Sequence, residues 1–212
     1  MNKYTASNMS KFRILSYNSR GFHESNQRIC RELIAASGDK IPILCNQENF
    51  MLKSNDYKIK QCLPNFHIYF KAATKEGLGG RPKNGMFIAV PESITSAIED
   101  LSPPSPRVQA ILLKMGEQRL LVINVYFPTD PKVEDFDTDE ILTTIESMNR
   151  VIDKSDCTDT IITGDINCDF IRKTKFVEIV QNFIDETGLI KSWEHFKVDF
   201  THASENKGKT HN

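Results

Sequence analysis

A chain of 212 residues with 39% hydrophobic and 26% charged residues has the length of one domain and enough apolar content for a sizeable core. Its net charge of -1 and pI near 6.5 weigh against a binder that depends on many phosphate contacts, while leaving room for one local basic patch. No apolar run reaches the roughly 20 residues that span a bilayer, so no membrane partner is expected. The polar opening MNKYTASNMSK carries no secretory signal, and an intracellular protein is the default. The five cysteines are an odd number at scattered spacings with no CxxC pair, which reads as reduced structural thiols. Residues 1–11 read as a polar tail and 12–212 as one domain.

The first strand is Phe12-Arg13-Ile14-Leu15-Ser16-Tyr17-Asn18, closed by a Ser-Arg-Gly turn. A helix is predicted over 24–36, with Ile29, Leu33 and Ala36 as its apolar stripe and Gly38 past its end. A second strand over 41–48 runs into Gln47-Glu48. A third is expected over 63–73, followed by a glycine-rich basic loop from Gly77 to Gly85 and a short buried strand over 86–90. Residues 108–115 and 119–127 face each other across Gly116-Glu117-Gln118 as a hairpin, ended by Pro128 and Pro131. Ile141, Leu142, Ile145, Met148 and Ile152 give a helix over 138–154. A strand over 160–163, a loop over 165–170 and a helix over 174–186 stopped by Gly188 follow. Short apolar pieces at 189–193 and 198–201 finish the chain. Strands outnumber helices and are joined both by hairpins and by helices, so a mixed sheet architecture is expected rather than a purely parallel one.

Three strand ends carry polar groups that their apolar runs do not need. Asn18 shares a face with Phe12, Ile14 and Ser16, and serves either as a turn residue or as a ligand. Glu48 is a poor strand former at the mouth of a buried strand. It is either a solvated strand end or a hard oxygen ligand for magnesium. In Thr163-Gly164-Asp165-Ile166-Asn167, Asp165 and Asn167 project together while Gly164 permits close approach. A carboxylate beside an amide suits a phosphodiester, since one accepts a proton or metal and the other donates to phosphate oxygen. The same GDxN also forms an ordinary Asx turn. Tyr126 shares a face with Asn124, Val122 and Leu120, as a core aromatic with its hydroxyl at the rim. Arg81 and Lys83 are either a solvated loop or a phosphate patch.

LSYNSRGF, LCNQENF, INVYFPTD and IITGDINCDF, in this order, resemble the motifs of the endonuclease/exonuclease/phosphatase superfamily. GGRPKNGMFIAV, RVQAILLKM and LLVINVYFPTD look most like the apurinic/apyrimidinic-endonuclease-like domain of non-LTR retrotransposons. The resemblance runs from about Phe12 to the end of the chain. It implies a DNase I-like α/β fold, a four-layer sandwich of two mixed sheets with helices outside and the site at one end. It also implies that Glu48 holds Mg2+ (Mn2+ as the alternative) with Asn18 nearby, and that Asp165 orients or deprotonates the attacking water. Asn167 and Tyr126 would contact the scissile phosphate, with Arg81, Lys83 and Asn124 as further substrate contacts. Double-stranded DNA is the implied substrate, the product a nick with a free 3′-hydroxyl, and the nucleus the implied place of action.

The resemblance departs at the C-terminus. DFTHASENKGKTHN stops at Asn212 before the Ile-Asp-His and Ser-Asp-His segments of the family, and neither His202 nor His211 matches the family's histidine. The expectation is a truncated domain lacking its last strands and exposing a sheet edge. Two other readings stand beside the nuclease: a pseudo-nuclease that binds without turnover, and a phosphoesterase acting on a phospholipid, inositol phosphate or RNA.

Overall fold

Two parallel strand pairs, each closed by a helical crossover, organise the protein. In the first, β1 (Phe12–Asn18) lies parallel to β2 (Ile41–Gln47), in register from Phe12 opposite Ile41 to Asn18 opposite Gln47, and α1 (Glu24–Ala35) connects them. A parallel pair cannot be joined by a tight turn, which is why a helix intervenes. The computed structural model describes residues 12–75, 77, 80–131 and 136–195. The tail at 1–11, the apolar piece expected at 198–201 and both His202 and His211 lie outside them.

After β2 the chain forms α2 (Tyr57–Cys62), β3 (Phe66–Lys71) and β4 (Met86–Pro91), with β4 antiparallel to both β2 and β3. A 3-10 segment, Glu92–Ala97, leads into β5 (Ile98–Asp100). The hairpin follows as β6 (Val108–Met115) and β7 (Gln118–Tyr126). Then come α3 (Asp139–Lys154), β8 (Asp159–Asp165) parallel to β7, α4 (Lys175–Thr187) and the short α5 (Ser192–His195). The sheets have the orders β1-β2-β4-β3 and β5-β6-β7-β8, and both are mixed. β1 and β8 are edge strands of the described structure. No helix among the described residues is long and apolar enough to cross a membrane.

Period-two alternation builds four layers. Ile43, Cys45, Ile88 and Val90 point from the first sheet onto Ile111, Leu113, Leu120 and Val122 of the second. The neighbouring residues on the same strands face outward. Leu44, Phe87 and Ala89 take Cys30, Ile59 and Cys62 of the flanking helices. Ala110, Leu121, Ile123 and Val125 take Ile141, Met148, Phe176 and Val180. Buried on both faces, β2, β4, β6 and β7 read as near-continuous apolar runs. Each large aliphatic or aromatic side chain so buried contributes about 1.5–3 kcal/mol.

One expectation needed correction, and two short elements, α2 and β5, were not foreseen. The strand expected over 63–73 begins only at Phe66, and α2 precedes it. That helix is short, and only Ile59 and Cys62 are buried on it, too few to show a period. The β5 strand is three residues long and has no sequence signal of its own. The strand expected over 160–163 extends from Asp159 to Asp165, while at α4 local chemistry sets the ends. Gly188 ends α4 in the left-handed conformation, φ 67°, and the Thr174 hydroxyl caps its start by accepting from the Val177 amide at 3.3 Å. Thr174→Ala is expected to cost about 1 kcal/mol, as loss of an N-cap does, read as a lowered midpoint in urea. The five cysteines are free thiols, and burial pushes Cys30, Cys45 and Cys168 up to about 12.

Candidate active site at the strand ends

Registers converge on one spot. In the first sheet Asn18 stands opposite Gln47, and in the second Tyr126 stands opposite Asp165, all at the carboxy-terminal ends of their strands. Packing sheet on sheet closes the gap between them. The Asn18 amide Nδ2 donates to Asp165 Oδ2 at 2.6 Å, across 147 positions of sequence. Asn18 Oδ1 accepts from the Arg20 amide at 3.1 Å.

Glu48, Arg20 and Asn167 follow these strand ends immediately, and all three have left-handed backbone, φ 53°, 46° and 50°. Such a conformation costs a non-glycine residue about 1–3 kcal/mol and persists only where its surroundings enforce it. Here they do. The Gly21 amide donates to the Glu48 carbonyl at 2.6 Å and the Phe22 amide to that of Asn49 at 3.0 Å. The turn at the third strand end uses Asp165 itself, whose Oδ1 accepts from the Asn167 amide at 3.1 Å. The Asx turn and the outward carboxylate therefore coexist, one oxygen for each. Asn167 Nδ2 donates to the Phe127 carbonyl at 2.9 Å.

Tyr126 joins the group through a hydrogen bond with the Glu48 carboxylate. Burial, that hydrogen bond and the charges of Glu48 and Asp165 all push the phenol far above its ordinary value, with Arg107 opposing. It is therefore a fixed donor at neutral pH. Gly164, at φ +134°, makes room for the register, since a Cβ there would stand 1.9 Å from the Val125 carbonyl oxygen. The close approach expected at this glycine is thus made by the neighbouring strand.

Among the described residues no group of three or more His, Cys, Asp and Glu gathers as a metal cage. Glu48 and Asp165 both act on one phenol, and the Asn18 amide holds Asp165 through its nitrogen. Magnesium keeps several waters and asks the protein for one or two carboxylates, so hard oxygens in this number suit it.

The remaining expected site residues divide. Asn124 has no exposed surface. Its Oδ1 accepts from Gln47 Nε2 at 2.6 Å, and its Nδ2 donates to the Asn46 carbonyl at 3.1 Å and that of Phe87 at 3.4 Å. Rather than facing substrate, it ties β7 to β2 and β4. Arg81 and Lys83 lie in the loop docked beside Glu48, through the amides of Asn49 and Phe50 donating to Gly85 and Asn84. The Arg81 guanidinium sits 4.6 Å above the Phe50 ring, and both Arg81 and Lys83 are exposed. Arg107 was missed. Its guanidinium lies 5.0 Å from the Tyr126 ring centre, donates to the Tyr126 carbonyl at 3.2 Å and pairs with Glu140 at 2.5 Å. Counting back along the hairpin would have found it, because Val108 opposes Val125 and Arg107 comes next to Tyr126.

No protein-family model matches the sequence, and no curated protein matches it. Solved structures do. The chain is similar to the AP endonuclease LMAP from Leishmania major, with a TM-score of 0.59 at 12% identity over 88% of this chain and 71% of that one. It is also similar to the endonuclease domain of TRAS1, a telomere-specific non-LTR retrotransposon, with a TM-score of 0.56, 14% identity, and 84% and 72% of the two chains covered. This is the endonuclease/exonuclease/phosphatase fold. The DNase I-like fold extends to the 3′ phosphatase NExo from Neisseria, bound to a product DNA hairpin, with a TM-score of 0.54, 17% identity, and 81% and 70% covered.

Proposed function

We propose that this chain is a magnesium-dependent phosphodiester hydrolase that nicks DNA, of the kind found in non-LTR retrotransposons. The observation that carries the reading is the convergence of Asn18, Glu48, Tyr126 and Asp165 at one mouth of the sandwich, from segments distant in sequence. The similarity to the TRAS1 domain and the GGRPKNG loop support the retrotransposon assignment. The DNA hairpin held by the Neisseria phosphatase supports a DNA substrate.

Glu48 and Asn18 would hold the ion, which when bound offsets charge on the phosphoryl transition state and assists the leaving oxygen. Asp165 Oδ2, fixed by the Asn18 amide, accepts the proton of the attacking water. Tyr126 keeps its proton, and its single O–H, engaged with Glu48 in the free protein, turns to a phosphate oxygen when substrate binds. Asn167 has two amide protons, and Phe127 engages one of them, which leaves the other for the phosphate. Arg81 and Lys83 neutralise neighbouring phosphates.

Nicking of supercoiled plasmid with magnesium tests this, with EDTA and Glu48→Ala as controls. The expected result is metal-dependent nicking reduced at least about 100-fold by the substitution, the several kcal/mol a catalytic metal supplies. Folded protein that binds the ion without nicking would mark a non-catalytic relative. Hydrolysis of a phospholipid, an inositol phosphate or RNA in place of DNA would move the substrate.

A further inference from the structure

Lys71, the last residue of β3, does something its strand does not require. It is half-buried at the outer edge of the first sheet, yet its Nζ reaches the second. It donates to the carbonyls of Pro103 at 2.6 Å, Ser105 at 2.5 Å and Val108 at 2.9 Å. An ammonium has three N–H donors, and here three carbonyls take one each. The gathered segment leads directly into β6 and carries Arg107.

Arg107 in turn surrounds Tyr126. Its carbonyl accepts from the Tyr126 amide at 2.9 Å, its guanidinium donates to the Tyr126 carbonyl, and the same group stacks on the ring. A second cross-sheet bond, Gln109 Nε2 to the Tyr69 carbonyl at 2.7 Å, fixes β6, while the loop before it is also held by Ser102 Oγ donating to the Ala110 carbonyl at 3.3 Å and by Arg107 pairing with Glu140. We propose that Lys71 is a positioning residue for Tyr126, acting through Arg107: its ammonium folds the 103–108 segment so that the guanidinium rests against the phenol ring. The link to catalysis rests on the function proposed above; the link to the ring does not.

The chemistry gives the clamp a pH range. Burial lowers Lys71 to about 8, against the charge of Asp100 on β5, which favours the ammonium. Tyr69 lies on its own strand, Arg107 is the charge in the gathered loop, and β4 opposes it with Met86. A neutral amine has only two donors and turns a lone pair toward the third carbonyl. Deprotonation therefore releases one carbonyl and loosens the segment.

The test is NMR of the full chain labelled at the tyrosine ζ-carbon, with Tyr126 assigned by Tyr126→Phe. It is titrated from neutral into mildly alkaline pH, for wild type and Lys71→Met. Tyr126 itself does not ionise in that range, so its resonance reports its surroundings. The expected result is a shift of the wild-type Tyr126 signal with a midpoint near 8, and in Lys71→Met a displaced signal with no such step. Should Lys71→Met fail to fold, the wild-type titration decides alone. An unmoved Tyr126 signal in wild type, or the same signal in folded Lys71→Met, would overturn the proposal. In the nicking assay the counterpart is a fall of about tenfold to a hundredfold in kcat at unchanged KM for Lys71→Met, the scale of a misplaced contact. Absence of nicking in wild type would count against the proposed function and leave the NMR result standing.

Discussion

Gly164→Ala is expected to destabilise the fold by about 3–5 kcal/mol, the sum of overpacking and a left-handed backbone imposed on alanine. The Cβ would fall 1.9 Å from the Val125 carbonyl oxygen, which is backbone of the adjacent strand and cannot swing aside. The strand β8 must then move away from β7, and Asp165 is the next residue along it. The bond from Asn18 to Asp165 is therefore the first part of the site to be lost. Urea unfolding gives the magnitude. A loss below about 1 kcal/mol, the ordinary cost of a point substitution, would mean that the register of β7 and β8 is not what the structure shows.

Asp165→Asn separates chemistry from architecture. Asparagine keeps an oxygen for the Asn167 amide and keeps the shape of the carboxylate, so the turn and the fold survive. What disappears is the ability to take a proton from water, together with the bond from the Asn18 amide, which then meets a second donor. Rates of nicking should fall by about 10²–10⁴-fold, the usual contribution of a positioned general base, with substrate affinity little changed. A variant within about threefold of wild type would remove Asp165 from the mechanism.

Much of this arrangement was legible in the sequence, for identifiable reasons. The strands around Ile43, Ile88, Val122 and Ile123 are buried on both faces, so their apolar runs stand out against polar turns. Asn18, Glu48 and Asp165 were visible because each breaks such a run at its end. The roles of Gln47 and Asn124 were not visible. Their hydrogen bond joins residues 77 apart through the packing of two sheets, and strand periodicity says nothing about which strand faces which. Asn124 was expected as a substrate contact from the resemblance, and it shares a face with Tyr126. That face is the one turned into the sandwich, and only the last residue of the strand reaches the mouth. Helix α2 escaped notice because YKIKQC buries only Ile59 and Cys62. Arg107 opens the RVQAILLKM segment but carries no signal of its own there, and its partner in space is set by the hairpin register.

Metal-dependent hydrolysis requires that the gathered side chains hold a divalent ion. Titration with Mn2+ followed by electron paramagnetic resonance measures that directly, whether or not the protein turns over. The predicted result is a single bound ion that magnesium displaces and that Glu48→Gln does not bind. Free Mn2+ signal throughout the titration of folded wild-type protein, or binding undiminished in Glu48→Gln, would contradict the account.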